Sequence, residues 1–188
     1  MKKKFLRQVM SPREIDLALS RIAAEILEHH PNLDDLVIVG IRRRGVPLAE
    51  IIRNKIEKLS GKKLPIGILD ITFYRDDLSL VDIQPVVEGS KLNFDATGKE
   101  VVLVDDVLFT GRTTRAALES MIDYGRPKRV ELVALVDRGG RELPIQADYV
   151  GKYIESSKDE VIEVRIPSVD QEEGVFLTTR KMMEKSDQ

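Results

Sequence analysis

The stretch VVLVDDVLFTGRT, residues 101–113, decides the architecture. Val101 to Val104 form the unbroken apolar run of a strand covered on both faces. Asp105 and Asp106 end that run, and the loop Leu108 to Thr113 leads into a helical segment. In open α/β sheets, ligands lie outside the carboxyl ends of the strands. Unpaired N–H groups at a helix N-terminus attract phosphate. Gly111 permits close backbone approach, and Thr110 and Thr113 supply hydroxyl donors. Two carboxylates touching a phosphate would repel it, but a sugar's length away they accept hydrogen bonds from hydroxyls. The pattern therefore describes a ribose 5-phosphate with its diol on Asp105 and Asp106. One aspartate here would read as a turn residue; the pair, followed by Thr-Gly-Arg-Thr, asks for more.

The same rhythm extends in both directions. Ser11, Pro12 and Glu14 predict a capped helix. Behind them Ile15, Leu19, Ile22 and Ile26 form one apolar stripe, ending near His29-His30-Pro31. LVIVG (36–40) is a second buried strand, IRRRG (41–45) a loop, and VPLAEIIRNKIEKLSG a helix stopped by Gly61. LPIGILDITFY (64–74) reads as a strand, and 75–99 as a long polar connection without a period. Downstream, a helix runs from about Thr113 to Tyr124 before Gly125, and RVELVALVD (129–137) is another buried strand. Alternating strands and helices predict a parallel sheet with right-handed crossovers. After residue 138, ADYVGKYI, EVIEVRI and GVFLTTR read as short strands set above that sheet.

Composition narrows the function classes. The chain has 188 residues, a length that favours one α/β domain with a sizeable core. Its 30 basic and 32 acidic residues leave a net charge of −2, so any nucleic-acid contact must be a local basic patch. The absence of cysteine excludes disulfides, thiol catalysis and cysteine-bound zinc. MKKKFLRQVMSPRE contains no apolar run of signal-peptide length, and no segment approaches the roughly 20 apolar residues that span a bilayer. A cytoplasmic protein is expected, with no membrane partner.

Beyond these readings, VVLVDDVLFTGRT resembles the signature of the type I phosphoribosyltransferases. VGIRRRGVPLA, LDITFYRDDLS and LVDRGGRELPIQADYVGK are similar to the bifunctional pyrimidine operon regulators/uracil phosphoribosyltransferases, over most of 11–155. The resemblance implies the type I phosphoribosyltransferase fold: a central, mostly parallel sheet flanked by helices, with a small hood of short strands. One domain would cover 1–188, with a flexible loop at about 75–99 and a hood at about 138–180. The implied reaction joins uracil to phosphoribosyl pyrophosphate (PRPP), giving UMP and diphosphate.

The site residues follow from the same resemblance. Asp105, Asp106 and Arg44 would be catalytic, the aspartates holding the ribose 2- and 3-hydroxyls. Val107, Leu108, Phe109, Thr110, Gly111, Arg112 and Thr113 would complete the nucleotide site, with Leu108 to Thr113 around the 5-phosphate. Arg43, Arg44 and Gly45 belong to the implied pyrophosphate loop, where such enzymes often carry a strained peptide bond; Arg43 stands where threonine is usual. Tyr74, Arg75 and Asp76 would close over the reactants and exclude water. Val136, Asp137 and Arg138, with Ile162, would cover the base. Mg2+ would arrive with the pyrophosphate, without dedicated protein ligands.

A second implied role is binding of an mRNA leader stem-loop under control of UMP or UTP. Ser20, Arg21, Arg138, Arg141 and Lys152 are the candidate contacts, and a solvated charged surface is the competing reading. Gly140 stands where RNA-binding relatives usually carry histidine, and Ala24 and Gln146 where they carry polar or basic residues. A homodimer or higher assembly is implied as well. Two readings compete with the whole: a PRPP-binding regulator without turnover, and transfer to another base such as hypoxanthine-guanine or orotate, against which DRGGRELPI argues.

Overall fold

The structure is a computed structural model, described over residues 7–74, 89–157 and 159–179. A short strand, β1 (Arg7–Met10), precedes helix α1 (Pro12–His29). The Ser11 hydroxyl accepts from the Glu14 N–H at 3.4 Å, and the Glu14 carboxylate accepts from the Ser11 N–H at 2.8 Å. That capping box starts the helix where proline also fits its first turn. Ile15, Leu19, Ile22 and Ile26 are all buried, as their spacing requires. Strand β2 (Leu36–Ile41) is buried along its length, and α2 (Gly45–Ser60) stops at Gly61 in the left-handed conformation.

Next come β3 (Ile66–Leu69), β4 (Glu100–Leu108), α3 (Arg112–Met121), β5 (Arg129–Asp137) and β6 (Tyr149–Tyr153). These strands form one parallel sheet in the order β3-β2-β4-β5-β6. Then follow β7 (Glu160–Arg165), the short helix α4 (Pro167–Asp170) and β8 (Gly174–Thr179). With β1 they build a second, antiparallel sheet in the order β1-β8-β7. One apolar cluster joins α1, α2 and the small sheet to one face of the large sheet; a second packs α3 on the other face.

Several expectations need correction. Strand β4 does not end at the aspartates, because its ladder to β5 continues through Asp105↔Ala134 to Leu108↔Asp137. ADYVGKYI supplies β6, the fifth strand of the main sheet, rather than a hood strand. The missing hood strand is β1, whose four residues carry no clear alternation. The strand expected over 64–74 stops at Leu69. There the Asp70 carboxylate accepts from the N–H and hydroxyl of Thr72, turning Thr72–Tyr74 into a 3-10 helix. Residues 75–88 lie outside the described residues, but 89–99 is packed chain. Lys91 bridges Ile68, Ala96 is buried, and Leu92 and Phe94 cover the core beside α3.

At the end of the sheet away from the aspartates sits a closed polar network. The His30 ring, buried to 3% exposure, lies with Nδ1 2.8 Å from Glu100 and Nε2 2.6 Å from Glu131. The Tyr149 hydroxyl donates to the same Glu131 oxygen at 3.1 Å. Lys128, and then His30, hold the Glu100 carboxyl below its usual range. Its stabilising contribution is therefore present above the ordinary glutamate pKa and lost as pH falls through the lowered value. Replacing His30 by Ala strips a partner from a buried carboxylate and should cost about 3 kcal/mol. Urea titration at neutral pH measures that loss.

Candidate active site

Three loops meet at the carboxyl ends of β2, β4 and β5. The first, residues 41–45, is drawn against β4 by a contact that only glycine allows. A Cβ on Gly45 would lie 2.2 Å from the Val104 carbonyl oxygen, so α2 begins one van der Waals layer from the strand residue preceding Asp105. The Arg42–Arg43 peptide bond in this loop is cis. Arg44 caps α2, and its guanidinium donates to Asp170 through Nε at 3.0 Å and Nη2 at 2.7 Å.

The second loop carries the carboxyl pair. Asp105 is buried, and its Oδ1 accepts from the Asp106 N–H at 2.9 Å; the Asp106 Oδ1 accepts from the Val107 N–H at 2.9 Å. Burial pushes the Asp106 carboxyl above its ordinary range, while the Arg44 charge and hydrogen bonds with Asp105 and Val107 act against that rise. Past Leu108 the chain turns through Gly111, which sits at φ 91 as the N-cap of α3 and has no side chain to cap it. The Thr110 carbonyl accepts from the N–H groups of Glu142 and Leu143 at 3.0 and 3.1 Å, and Arg112 ion-pairs with Glu142 at 2.9 Å. Thr110 and Thr113 remain half-buried at the mouth of the helix. Backbone and hydroxyl groups at the start of α3 thus stand beside the carboxylates.

The third loop packs onto the second. The Arg138 guanidinium lies 4.0 Å from the Phe109 ring centroid and donates to the carbonyls of Ser157 and Glu160, both at 3.0 Å. Arg141 donates to the carbonyls of Ile145 and Phe109 at 2.8 and 2.9 Å and pairs with Asp137. A side chain at position 140 would press on the Phe109 ring at 2.5 Å. Val136 and Ile162 are buried in the core, so of the expected base-covering residues Asp137 and Arg138 stand nearest the loops.

The structure thus brings Arg44, Asp105, Asp106 and the 107–113 loop to one end of the sheet. The RNA candidates make separate contacts. Arg21 donates to the carbonyls of Val150 and Gly151 at 2.8 and 2.9 Å, and Lys152 to that of Val9 at 2.9 Å, so these two flank β6. Ser20 donates to the Asp16 carbonyl and accepts from Lys55. Arg138 and Arg141 belong to the loops around Phe109 instead. The Tyr74 hydroxyl donates to Asp123, while Arg75 and Asp76 lie outside the described residues. The residue missed from sequence is Asp170; its Val-Asp-Gln setting carries no local signal for a partner 126 positions earlier. Among the described residues no cluster of three or more His, Asp or Glu is arranged to hold a metal, and no helix is long and apolar enough to cross a membrane.

Comparison with known proteins matches residues 9–170 to the phosphoribosyl transferase domain. The bifunctional protein PyrR of Caldicellulosiruptor bescii is 52% identical over 171 residues, covering 91% of this chain and 94% of that protein. PyrR of Thermus thermophilus is 50% identical over 178 residues, covering 95% and 98%. Among solved structures, a hypoxanthine phosphoribosyltransferase from Staphylococcus aureus superposes with a TM-score of 0.69 at 20% identity, covering 97% of this chain and 99% of that one. One from Trypanosoma cruzi gives a TM-score of 0.74 at 15% identity, covering 95% and 98%. These structural matches establish the fold.

The raised Asp106 carboxyl generates a two-sided prediction. A group whose folded pKa is raised stabilises the fold below its unfolded value and loses that contribution as pH rises through the folded one. Asp106→Asn cannot ionise, so its melting temperature should exceed that of the native protein at neutral pH and converge with it in acid. Its affinity for a ribose 5-phosphate should fall about tenfold or more, since a charged hydrogen-bond acceptor is lost. Calorimetry reads both.

Proposed function

The chain belongs to the phosphoribosyl transferase domain family and, at about half identity over nearly its whole length, to the bifunctional PyrR proteins within it; on that premise we propose that it transfers the phosphoribosyl group of PRPP to uracil. The products are UMP and diphosphate. The observation that carries this reading is the convergence of Arg44 and the Asp105–Asp106 pair across the Gly45–Val104 contact, with the Thr110–Thr113 cradle beside them. One domain over the whole chain holds the site, in which the large sheet binds PRPP and the small sheet covers the base.

The protein's work in this reaction is positioning and electrostatics. The bond from uracil N1 to the sugar C1 forms as the C1–O bond to diphosphate breaks. The electron pair leaves with diphosphate, and the N1 proton is lost from the base. Positive charge develops on the ring, where ionised Asp105 and Asp106 favour it while fixing the two hydroxyls. Arg44 offers N–H donors and charge to the departing diphosphate. The Thr110–Thr113 loop anchors the 5-phosphate through backbone N–H groups and hydroxyls, so the sugar cannot slide as charge shifts. Burial opposes ionisation of the Asp106 carboxyl, and a cation beside it would favour the charged form. Magnesium would arrive with the pyrophosphate of PRPP, next to Asp105 and Asp106 on the ribose hydroxyls and without a dedicated protein cluster, and it would supply neutralisation of the leaving group.

The regulatory half of the proposal is binding of an mRNA leader stem-loop when UMP or UTP is abundant. Arg21, which bonds to β6 carbonyls, and Lys152 of β6 are its candidate cations. A homodimer or higher assembly in the cytoplasm belongs to the same reading, and light scattering reads the assembly. The chemical half is tested by incubating the protein with PRPP, magnesium and a panel of bases. UMP should form, hypoxanthine, guanine and orotate should react at least about 100-fold more slowly, and chelation of magnesium should stop turnover. PRPP binding without UMP formation would replace the enzyme with a nucleotide-sensing regulator. Gel-shift titration of pyrimidine leader RNA, with and without UMP, tests the regulatory half; retention that UMP does not strengthen would reject it.

A further inference from the structure

The orientation of Arg44 is set from outside the large sheet. Its Nε and Nη2 donate to the two oxygens of Asp170, a fork-on-fork pair that fixes both distance and plane. Asp170 ends α4, in the connection between the two C-terminal strands of the small sheet. The carboxylate is itself held. Its Oδ2 also accepts from the N–H of Ile166 at 3.0 Å, and Ile166 is buried at 2% exposure. Burial works against its charge, but the hydrogen bonds from Arg44 and Ile166, and the charges of Arg44 and Arg165, keep it ionised.

The grip takes one edge of the guanidinium. Arg44 Nη1 makes no hydrogen bond to any described residue, so the other edge keeps its donors. A carboxylate that merely filled the place of a ligand would take the edge facing it. Asp170 instead takes the edge turned toward the small sheet, and Arg44 still acts on Asp106 by its charge.

We propose that Asp170 is a positioning residue: it holds Arg44 by the Nε–Nη2 edge so that the opposite edge meets the pyrophosphate of PRPP. The inference rests on the phosphoribosyl-transfer reading of the site. It also makes the small sheet part of the PRPP site, since the clamp belongs to that sheet's connection.

The test compares native protein with Asp170→Asn, Asp170→Ala and Asp170→Glu. Calorimetry measures PRPP binding with magnesium and no base; initial rates are then taken with each substrate varied separately. The Asn and Ala variants should weaken PRPP binding and raise its KM by about 10- to 100-fold, the cost of a misplaced donor. The KM for uracil should stay within about twofold and the melting temperature should hold. Glu, which keeps the carboxylate, should recover part of the loss. Tighter PRPP binding in Asp170→Asn would overturn the inference by making Asp170 a competitor for Arg44. Unchanged PRPP affinity, or equal losses for both substrates, would overturn it too. If native protein binds PRPP but forms no UMP, the transfer reading fails, while the calorimetric comparison still decides the role of Asp170.

Discussion

The arrangement depends on the absence of one methyl group. With a Cβ at position 45, α2 could not begin against the Val104 carbonyl, and the loop carrying Arg44 would stand away from Asp105 and Asp106. Gly40 in β2 repeats the constraint, since a Cβ there would lie 2.6 Å from the Val46 Cα, whereas long side chains nearby can shift. Two backbones in contact cannot. The charge of Arg44 reaches Asp106 because the helix is seated there, and the opposition between burial and that charge sets how readily the carboxyl ionises.

The two ends of the large sheet handle buried charge in opposite ways. Around His30, carboxylates, ring nitrogens, a tyrosine hydroxyl and two basic side chains pair with one another, which offsets part of the cost of burying them. At the other end Asp105 and Asp106 stand side by side, with burial resisting the charge on Asp106. The paired network makes a stable floor, and the carboxyl ends of the strands carry the proposed site. Stability and function are thereby separated along the length of the same strands.

What was legible in sequence follows from the range of the forces involved. The α1 cap, the Gly61 stop and the buried cores of β2, β4 and β5 are written in neighbouring residues, although β4 runs on past the aspartates to Leu108. Asp105, Asp106 and the Thr-Gly-Arg-Thr loop were legible because strand, carboxylates and helix N-terminus are contiguous. Strand β1 was not, since four residues with mixed burial have no period and acquire strand geometry only from β8. Strand β6 looked like a hood element because its partner β5 is separated from it by an irregular loop. Asp170 was invisible for a similar reason: nothing near it in the chain announces Arg44. Local physics is readable from one sequence, whereas pairings across the chain need the fold.

The small sheet joins strands from far apart in the chain, with β1 pairing β8 through Arg7↔Leu177 and Gln8↔Phe176. As the polypeptide leaves the ribosome, its first strand therefore emerges long before the edge it must join. The large parallel sheet has all five of its strands once residue 153 is out, but β1 stays without its partner until the 174–179 segment follows. Arg44, too, emerges well before the carboxylate that orients it. A chain stopped short of α4 would hold the aspartates and the 108–113 loop but lack the clamp on Arg44, so synthesis completes the two halves of this end of the sheet in sequence, the clamp last.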